Sequence, residues 1–538
     1  MRTAVLFNDG PAFLSMAEAI GEGRWSAVVA HPYHPLYPFC TWLVSSWVGL
    51  DLEAAAVAVS IAGGLAAVVA IHLLVRDAFG SRPAWIAGAL VAGHPSAVEI
   101  SSDVMSDGLY SGLFLAGLVL LVRTVRRPSL VAAAGAGGWA GLAYWARPEG
   151  IGLLLVGLLL LLWRGLKAPE ERHRLIAAAS TLVFVGTLVV SPYVWAVERA
   201  TGELALTRKK TLRSLALGDA SAPAAVGSVS IADEGRVDRE SPPPPLVLPE
   251  QSIRVDGPGA RPPPHTLGGA FEAGWRVFRT ALSALRYEVA LLVVWGLVGW
   301  GRRAGGGWRA GGGAPGRTAH PSTRTRTLSA MGWSAMGWTT RSLAVTTLLY
   351  GGLLVLLVWG AGYVSRRHAL PFMLPWIGFA ALAVDGLLGT ARGRRGVSGE
   401  RSMRAWGRLG LSLALIAGLL LGWGARDLRL RRGERSALRE AATWLARRHP
   451  DSGPVAGQKL RVAYYARAPF VPLPSGREGP LESSLRGRDA RWIVIDAEKL
   501  GDHLGLSEGI GTWSSLRHRV EARGRTALIL EIRPEAAP

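Results

Sequence analysis

Cysteine is nearly absent: Cys40 is the only one in 538 residues. That excludes an intramolecular disulfide and any metal site built from several thiolates. Charged residues are also few, 18% against 49% hydrophobic. The first residues lack a basic n-region followed by an apolar h-region, so no cleavable signal peptide is expected. No glycine-rich loop follows a strand and opens a helix, which argues against a nucleotide-sugar donor and against ATP. Repeated halves of the kind many transporters show are missing too.

What the chain has in abundance is apolar sequence in long runs. Its mean hydropathy is +0.25, and several runs approach the roughly 20 residues that fit a bilayer. The expected fold class is an α-helical polytopic membrane protein of about ten or eleven spans with a small C-terminal α/β soluble domain. Ten spans can be delimited: 52–75, 84–100, 104–123, 129–146, 149–163, 175–197, 284–301, 343–363, 369–390 and 408–424. The segment from about Phe39 to Leu50 is short of a span. Residues 11–21 suit a short amphipathic helix lying flat on the membrane, with Pro11 in its first turn and Phe13, Met16 or Ala17, and Ile20 on one face.

The net charge of +21 does not call for nucleic acid, because the arginines collect between spans as the positive-inside rule describes. The loops Arg76 to Arg82, Arg123 to Arg127, Arg164 to Arg174, Arg302 to Arg341 and Arg392 to Arg408 fall on one side, taken as cytoplasmic. The opposite face then holds Asp9, the loop His31 to Pro38, Asp51, Glu53, Glu99, Asp103, Asp107, Arg147-Pro148-Glu149-Gly150 and Arg366-Arg367-His368. The basic run Arg426 to Arg435 runs against this assignment, although long domains cross regardless of charge.

The expected division is a membrane domain over 1–424 and an extracytoplasmic α/β domain over 425–538. Within the first, 198–275 reads as a long outer loop with the proline runs Pro242 to Pro245 and Pro262 to Pro264. Residues 302–342 read as a low-complexity inner loop, with Ser-Ala-Met-Gly-Trp repeated at 329–333 and 334–338. In the C-terminal part, 435–449 suits a helix, and Leu460 to Tyr465, Trp492 to Asp496 and Leu528 to Ile532 suit strands.

Ionisable side chains beside membrane spans are costly, so a cluster of them at one face is a functional hypothesis. Asp9 reads either as the cap of the helix that Pro11 opens or as a general base. Asp103 and Asp107, four apart, are expected to share one helix face, with Asp107 deeper and needing a partner or a metal. His34, Arg147, Arg367 and His368 on the same side suggest an anion site, most simply for phosphate, which Lys209 and Lys210 of a loop could join. His31 and His34 could bind a metal with Asp9. The glycines within spans read as close helix packing.

Asn8-Asp9-Gly10, His34-Pro35-Leu36-Tyr37-Pro38, Ser106-Asp107, Arg147-Pro148-Glu149-Gly150 and Arg367-His368-Ala369-Leu370-Pro371 resemble, in that order, the signature positions of GT-C membrane glycosyltransferases. The branch they are most similar to is that of the protein O-mannosyltransferases and the lipid A aminoarabinose transferase, and the resemblance covers about residues 1–424. Ala463-Tyr464-Tyr465 and Trp492 to Asp496 are similar to the extracytoplasmic domain of some members.

The resemblance implies transfer of a sugar, mannose or another hexose, from a polyprenyl phosphate to an extracytoplasmic acceptor, usually with inversion. Asp9 and Asp107 would be the catalytic acids, and His34, Arg147, Arg367 and His368 would meet the donor phosphate. No cofactor is certain: some relatives use a divalent metal and others none. The setting would be the bacterial plasma membrane, with membrane lipids around the spans and the site on the extracytoplasmic side. Two positions depart from the pattern. Only Met1 to Phe7 precede Asn8, where relatives carry a span, which leaves open an upstream start or a missing helix. His368 stands where Tyr is frequent. A transporter or flippase for a lipid-linked glycan is the alternative, and a membrane scaffold is a third reading.

Overall fold

The computed structural model describes residues 5–202, 204–207, 267–305, 337–392, 417–418, 421–425, 432–473, 481–503 and 505–534. The proline-rich loop with Lys209 and Lys210, the tandem repeat at 329–338 up to Met336, and most of the expected span 408–424 lie outside the described residues, as does most of the run Arg426 to Arg435.

The N-terminal helices are α1 (Gly10–Gly21), α2 (Trp25–Ala30), α3 (Leu36–Val48), α4 (Leu52–Phe79), α5 (Ser81–Ala92), α6 (Pro95–Ser101), α7 (Ser106–Arg126), α8 (Leu130–Ala146), α9 (Gly152–Lys167) and α10 (Arg172–Thr201). Then come α11 (Leu267–Leu285), α12 (Tyr287–Gly305), α13 (Trp338–Ala361), α14 (Arg366–Met373) and α15 (Ile377–Arg392). Among the described residues six helical stretches are long and apolar enough to cross a membrane, or seven if a bent pair counts as one. Large apolar side chains on their outer faces, such as Leu65, Phe184 and Leu291, are more than half exposed, as lipid-facing positions would be.

Helices approach closely where glycine removes the side chain. A Cβ on Gly63 of α4 would come within 2.5 Å of the Gly108 backbone of α7, and one on Gly112 within 2.5 Å of the Gly63 carbonyl oxygen. On α8, Gly137 and Gly141 play the same part against α10.

Two expected spans are broken. The stretch 84–100 divides into α5 and α6 at Gly93-His94-Pro95, because Pro95 brings no amide and disfavours helix at the residue before it. The stretch 284–301 contains a 93° bend between α11 and α12, at Arg286 with φ +65°. α11 escapes a hydropathy reading because Glu272, Arg276 and Arg279 dilute its apolar residues, and it turns part of the expected outer loop 198–275 into helix. The two breaks meet: the His94 ring Nε2 lies 3.1 Å from the Leu285 carbonyl oxygen.

α1 is not a surface helix. Phe13, Leu14, Met16, Ala19 and Ile20 are all buried, in one cluster with Tyr33, Tyr37 and Leu460. Leu460, with Tyr464, Tyr465 and Phe470 beside it, brings the C-terminal part against this cluster.

That C-terminal part comprises α16 (Ser436–Arg448), β1 (Val455–Gly457), α17 (Arg461–Ala466), β2 (Phe470–Pro472), α18 (Leu481–Arg486), β3 (Trp492–Asp496), α19 (Leu506–Gly509), β4 (Ser514–Ala522) and β5 (Arg525–Ile532). The sheet order is β2-β1-β3-β5-β4, parallel around β1 and antiparallel around β5. β3 is buried on both faces: Trp492 and Val494 meet Ala441 and Leu445 of α16, while Ile493 and Ile495 meet Leu485 and Leu506. Alternating directions along a strand require both sets to be apolar, hence the run Trp-Ile-Val-Ile. The expected strand at Leu460 to Tyr465 is instead the helix α17, because a run this short, five apolar residues interrupted by Arg461, does not distinguish the two.

Candidate functional site

The ends of the bundle differ in charge chemistry. At the Phe79 end of α4, Asp77 pairs with Arg123 at 2.6 Å, Arg82 with Asp385 at 2.8 Å, and Arg164 with Glu171. At the Leu52 end, four of the six expected site residues converge.

Asp9 occupies the N-cap position of α1 yet makes no side-chain cap bond. Its carboxylate instead accepts from Arg367 Nη1 at 3.0 Å. The same Nη1 lies 3.9 Å from Asp107, whose other oxygen accepts from Arg147. Arg147 also reaches Glu149 at 3.3 Å and stands over the Tyr110 ring at 5.7 Å. The result is a chain of alternating charge, Asp9–Arg367–Asp107–Arg147–Glu149. Burial works against the Arg147 charge, but Asp107 and then Glu149 hold its proton more firmly than in water. Arg367 Nε is buried and makes no hydrogen bond.

Each member is set by its local structure. Asp107 lies in the first turn of α7, one residue before Gly108, the glycine that lets α7 sit against the Ser60 carbonyl of α4. Arg147 ends α8, and the chain folds back at once, so closely that a Cβ on Gly150 would come 2.2 Å from the Tyr144 nitrogen. The Tyr350 hydroxyl of α13 donates to the Glu149 carbonyl at 2.9 Å and pins that turn. Arg367 opens α14, its guanidinium 5.0 Å from the centre of the Phe7 ring.

Asp103 and Asp107 do not share a helix face. α7 begins only at Ser106; Asp103 precedes it, accepts from the Val104 amide at 2.9 Å and pairs with Arg432. His34 is buried, its ring 5.0 Å from that of Tyr144 and 4.9 Å from that of Tyr193. His368 Nδ1 accepts from the Ser365 amide at 3.3 Å and so closes the start of its own helix. Neither histidine meets the alternating chain through these contacts.

The donor set does not fit a divalent metal. Asp9 and Asp107 each face arginine, His31 Nδ1 accepts from the Tyr33 amide at 3.1 Å, and among the described residues no three His, Cys, Asp or Glu side chains gather.

Tyr33 belongs to the site although its motif did not single it out. Its phenol hydrogen-bonds Asp9, and burial, followed by the Asp9 charge, pushes its pKa well above the ordinary tyrosine value. The signal was its place in the proline-stiffened loop. Arg432, Arg461 and Tyr465, all from the C-terminal part, approach the same segment; in the sequence Arg432 stood only within the basic run Arg426 to Arg435, and Arg461 and Tyr465 only within an expected strand and a C-terminal motif, with nothing to pair them with Leu6.

Residues 30–195 match the dolichyl-phosphate-mannose-protein mannosyltransferase family. No curated protein matches the sequence significantly. Among solved structures, ArnT from Cupriavidus metallidurans bound to undecaprenyl phosphate aligns over 100% of this chain and 96% of its own, with a TM-score of 0.54 at 13% identity. Archaeal oligosaccharyltransferase AglB from Archaeoglobus fulgidus, in complex with an inhibitory peptide and a dolichol-phosphate, aligns over 93% of this chain and 67% of its own, with a TM-score of 0.55 at 12% identity. The family match over residues 30–195 and the likeness of fold bear out the resemblance that the motifs carry to GT-C membrane glycosyltransferases.

Proposed function

We propose that the protein transfers a hexose, mannose or a sugar close to it, from a polyprenyl phosphate to an acceptor hydroxyl at the extracytoplasmic face of a bacterial plasma membrane, with inversion. The observation that carries this reading is that Asp9 turns away from its own helix toward Arg367, at the head of a charged chain in an otherwise apolar bundle. Asp9 takes the proton of the acceptor hydroxyl, and the oxygen attacks the anomeric carbon. The bond from that carbon to the phosphate oxygen breaks, its electron pair leaving with the polyprenyl phosphate. Arg367 and Arg147 stabilise the dianion that develops, the largest lever available to such a site. Asp107 holds both arginines in place, and the arrangement asks for no metal. ArnT bound to undecaprenyl phosphate and AglB in complex with a dolichol-phosphate support the lipid class of the donor.

The test supplies membranes containing the protein with a panel of labelled polyprenyl-phosphate sugars and compares wild type with Asp9→Asn. Labelled product from the wild type, lost in the variant, is the expected result, and the product's mass names the acceptor. Label that crosses the membrane on its lipid with no product formed would instead establish a flippase.

A further inference from the structure

The segment that carries Asp9 has no regular structure of its own before α1 begins at Gly10. Three side chains of the C-terminal part make up for this. The Leu6 amide donates to the Tyr465 hydroxyl at 3.1 Å. Arg461 donates to the Leu6 carbonyl at 2.9 Å and to the Asn8 side-chain oxygen at 2.5 Å. Arg432 donates to the Val5 carbonyl at 2.7 Å, and its guanidinium lies 5.0 Å from the centre of the Phe7 ring that also faces Arg367. Arg461 and Tyr465 stand four apart on α17, so one helix face presents both groups to Leu6. Buried backbone groups need partners, and those of Leu6 find them here in side chains more than 450 positions away.

The Arg461 contacts work against a cost: burial, and then the cations of Arg435 and Arg432, disfavour its charge. Two charge-assisted hydrogen bonds to the Asp9 segment are what it receives in return.

We propose that the C-terminal α/β part is a positioning element of the candidate site: Arg461, with Tyr465 and Arg432, fixes Val5–Asn8 and thereby sets Asp9 against Arg367. Asp9 is the next residue after Asn8, so its reach to Arg367 depends on a segment clamped from the far end of the sequence. The inference rests on the glycosyltransferase reading only where turnover is measured.

The test is amide hydrogen exchange on the full chain in lipid nanodiscs, which needs no substrate, for Tyr465→Phe, Asn8→Ala, Arg461→Met and Arg461→Lys. Loss of one such bond should speed exchange over Leu6–Gly10 about tenfold, and loss of both Arg461 bonds more. Amides of β3 and β5 should keep their rates, which separates opening of the segment from unfolding of the sheet. Asn8→Ala leaves the C-terminal part untouched, so it decides the matter even if Arg461→Met fails to fold. Arg461→Lys should restore part of the protection. With a donor that the wild type turns over, the same variants should lower kcat in the same order and leave the donor KM unchanged. Exchange at Leu6–Gly10 that stays at the wild-type rate in Asn8→Ala and Tyr465→Phe would overturn the proposal. Wild-type protein inert toward every donor would count against the glycosyltransferase reading, while the exchange rates would still decide the clamp.

Discussion

Arg367 Nη1 lies 3.0 Å from the Asp9 carboxylate across a sequence separation of 358 residues. A cap residue would spend its side chain on the first amides of its helix. Asp9 does not, and its position is fixed by a partner at the start of another helix.

This separates two roles that a single substitution confuses. Asp9→Asn should lower turnover by at least about a hundredfold, the scale of losing a general base. Asp9→Ser, which preserves a good N-cap, should be just as inactive. Turnover restored by serine, measured on the same donor panel, would return Asp9 to the role of a helix cap.

Arg147 and Asp107 form a buried pair, with side chains 9% and 4% exposed. Arg147→Met leaves the Asp107 charge without its nearest cation, and breaking such a pair costs about 3–5 kcal/mol. Thermal unfolding in detergent should show a clear loss for Arg147→Met and recovery of most of it in Arg147→Met with Asp107→Asn. The double variant should stay inactive, because the phosphate has lost a cation. A double variant no more stable than the single one would show that the pair does not carry this cost.

Tyr33 should stay neutral through the working pH range. Burial and the Asp9 charge both disfavour the phenolate, so the folded pKa lies above the usual value of about 10. The sign follows: the neutral phenol contributes fully below about pH 10, and as pH rises past that point the unfolded chain releases a proton that the folded one keeps. Tyrosinate absorbance up to pH 10 should therefore match in wild type and Tyr33→Phe. An extra tyrosine titrating in the wild type over that range would contradict the buried hydrogen bond.

The crossing of α4 and α7 should tolerate no added carbon. Gly63→Ala would place its Cβ within 2.5 Å of the Gly108 backbone, next to Asp107. Overpacking of this kind costs about 1–3 kcal/mol, and displacement of Asp107 should lower turnover as well. Gly165→Ala on α9 meets nothing within 4 Å and serves as the control, with stability unchanged or slightly raised. Equal thermal stability for the two variants would remove the close crossing from the account.

Much of the site was legible because ionisable residues among apolar spans are conspicuous. Asp9, Asp107, Arg147 and Arg367 stood out for that reason, and they do meet. The histidines stood out equally, and the contacts seen for them are with other groups: His34 packs beside Tyr144 and Tyr193, and His368 accepts from the Ser365 amide at the cap of its own helix. Composition shows that a polar group is unusual in its surroundings; it does not show which neighbour satisfies it.

The same limit applies to the helices and to α17. Hydropathy found the stretches that bury or face lipid along their whole length, but not the breaks at His94 and Arg286. A break depends on local backbone and on what satisfies the freed carbonyl, here the His94 ring at Leu285. The short run from Leu460 to Tyr465 read as a strand because five apolar residues around Arg461 carry no period long enough to separate strand from helix.

By itself, then, the sequence determined a helical membrane protein with several apolar stretches long enough to span, ionisable residues gathered at one end of them, and a C-terminal part of mixed helix and strand. These follow from composition and periodicity, which act on neighbours along the chain. Only the tertiary structure decided that Asp9 faces Arg367 rather than its own helix, that Asp103 pairs with Arg432 instead of sharing a face with Asp107, and that Arg461 and Tyr465 hold Leu6. Those are contacts between residues hundreds of positions apart, and a buried charge or amide takes whichever partner the packing of distant elements brings within hydrogen-bond reach.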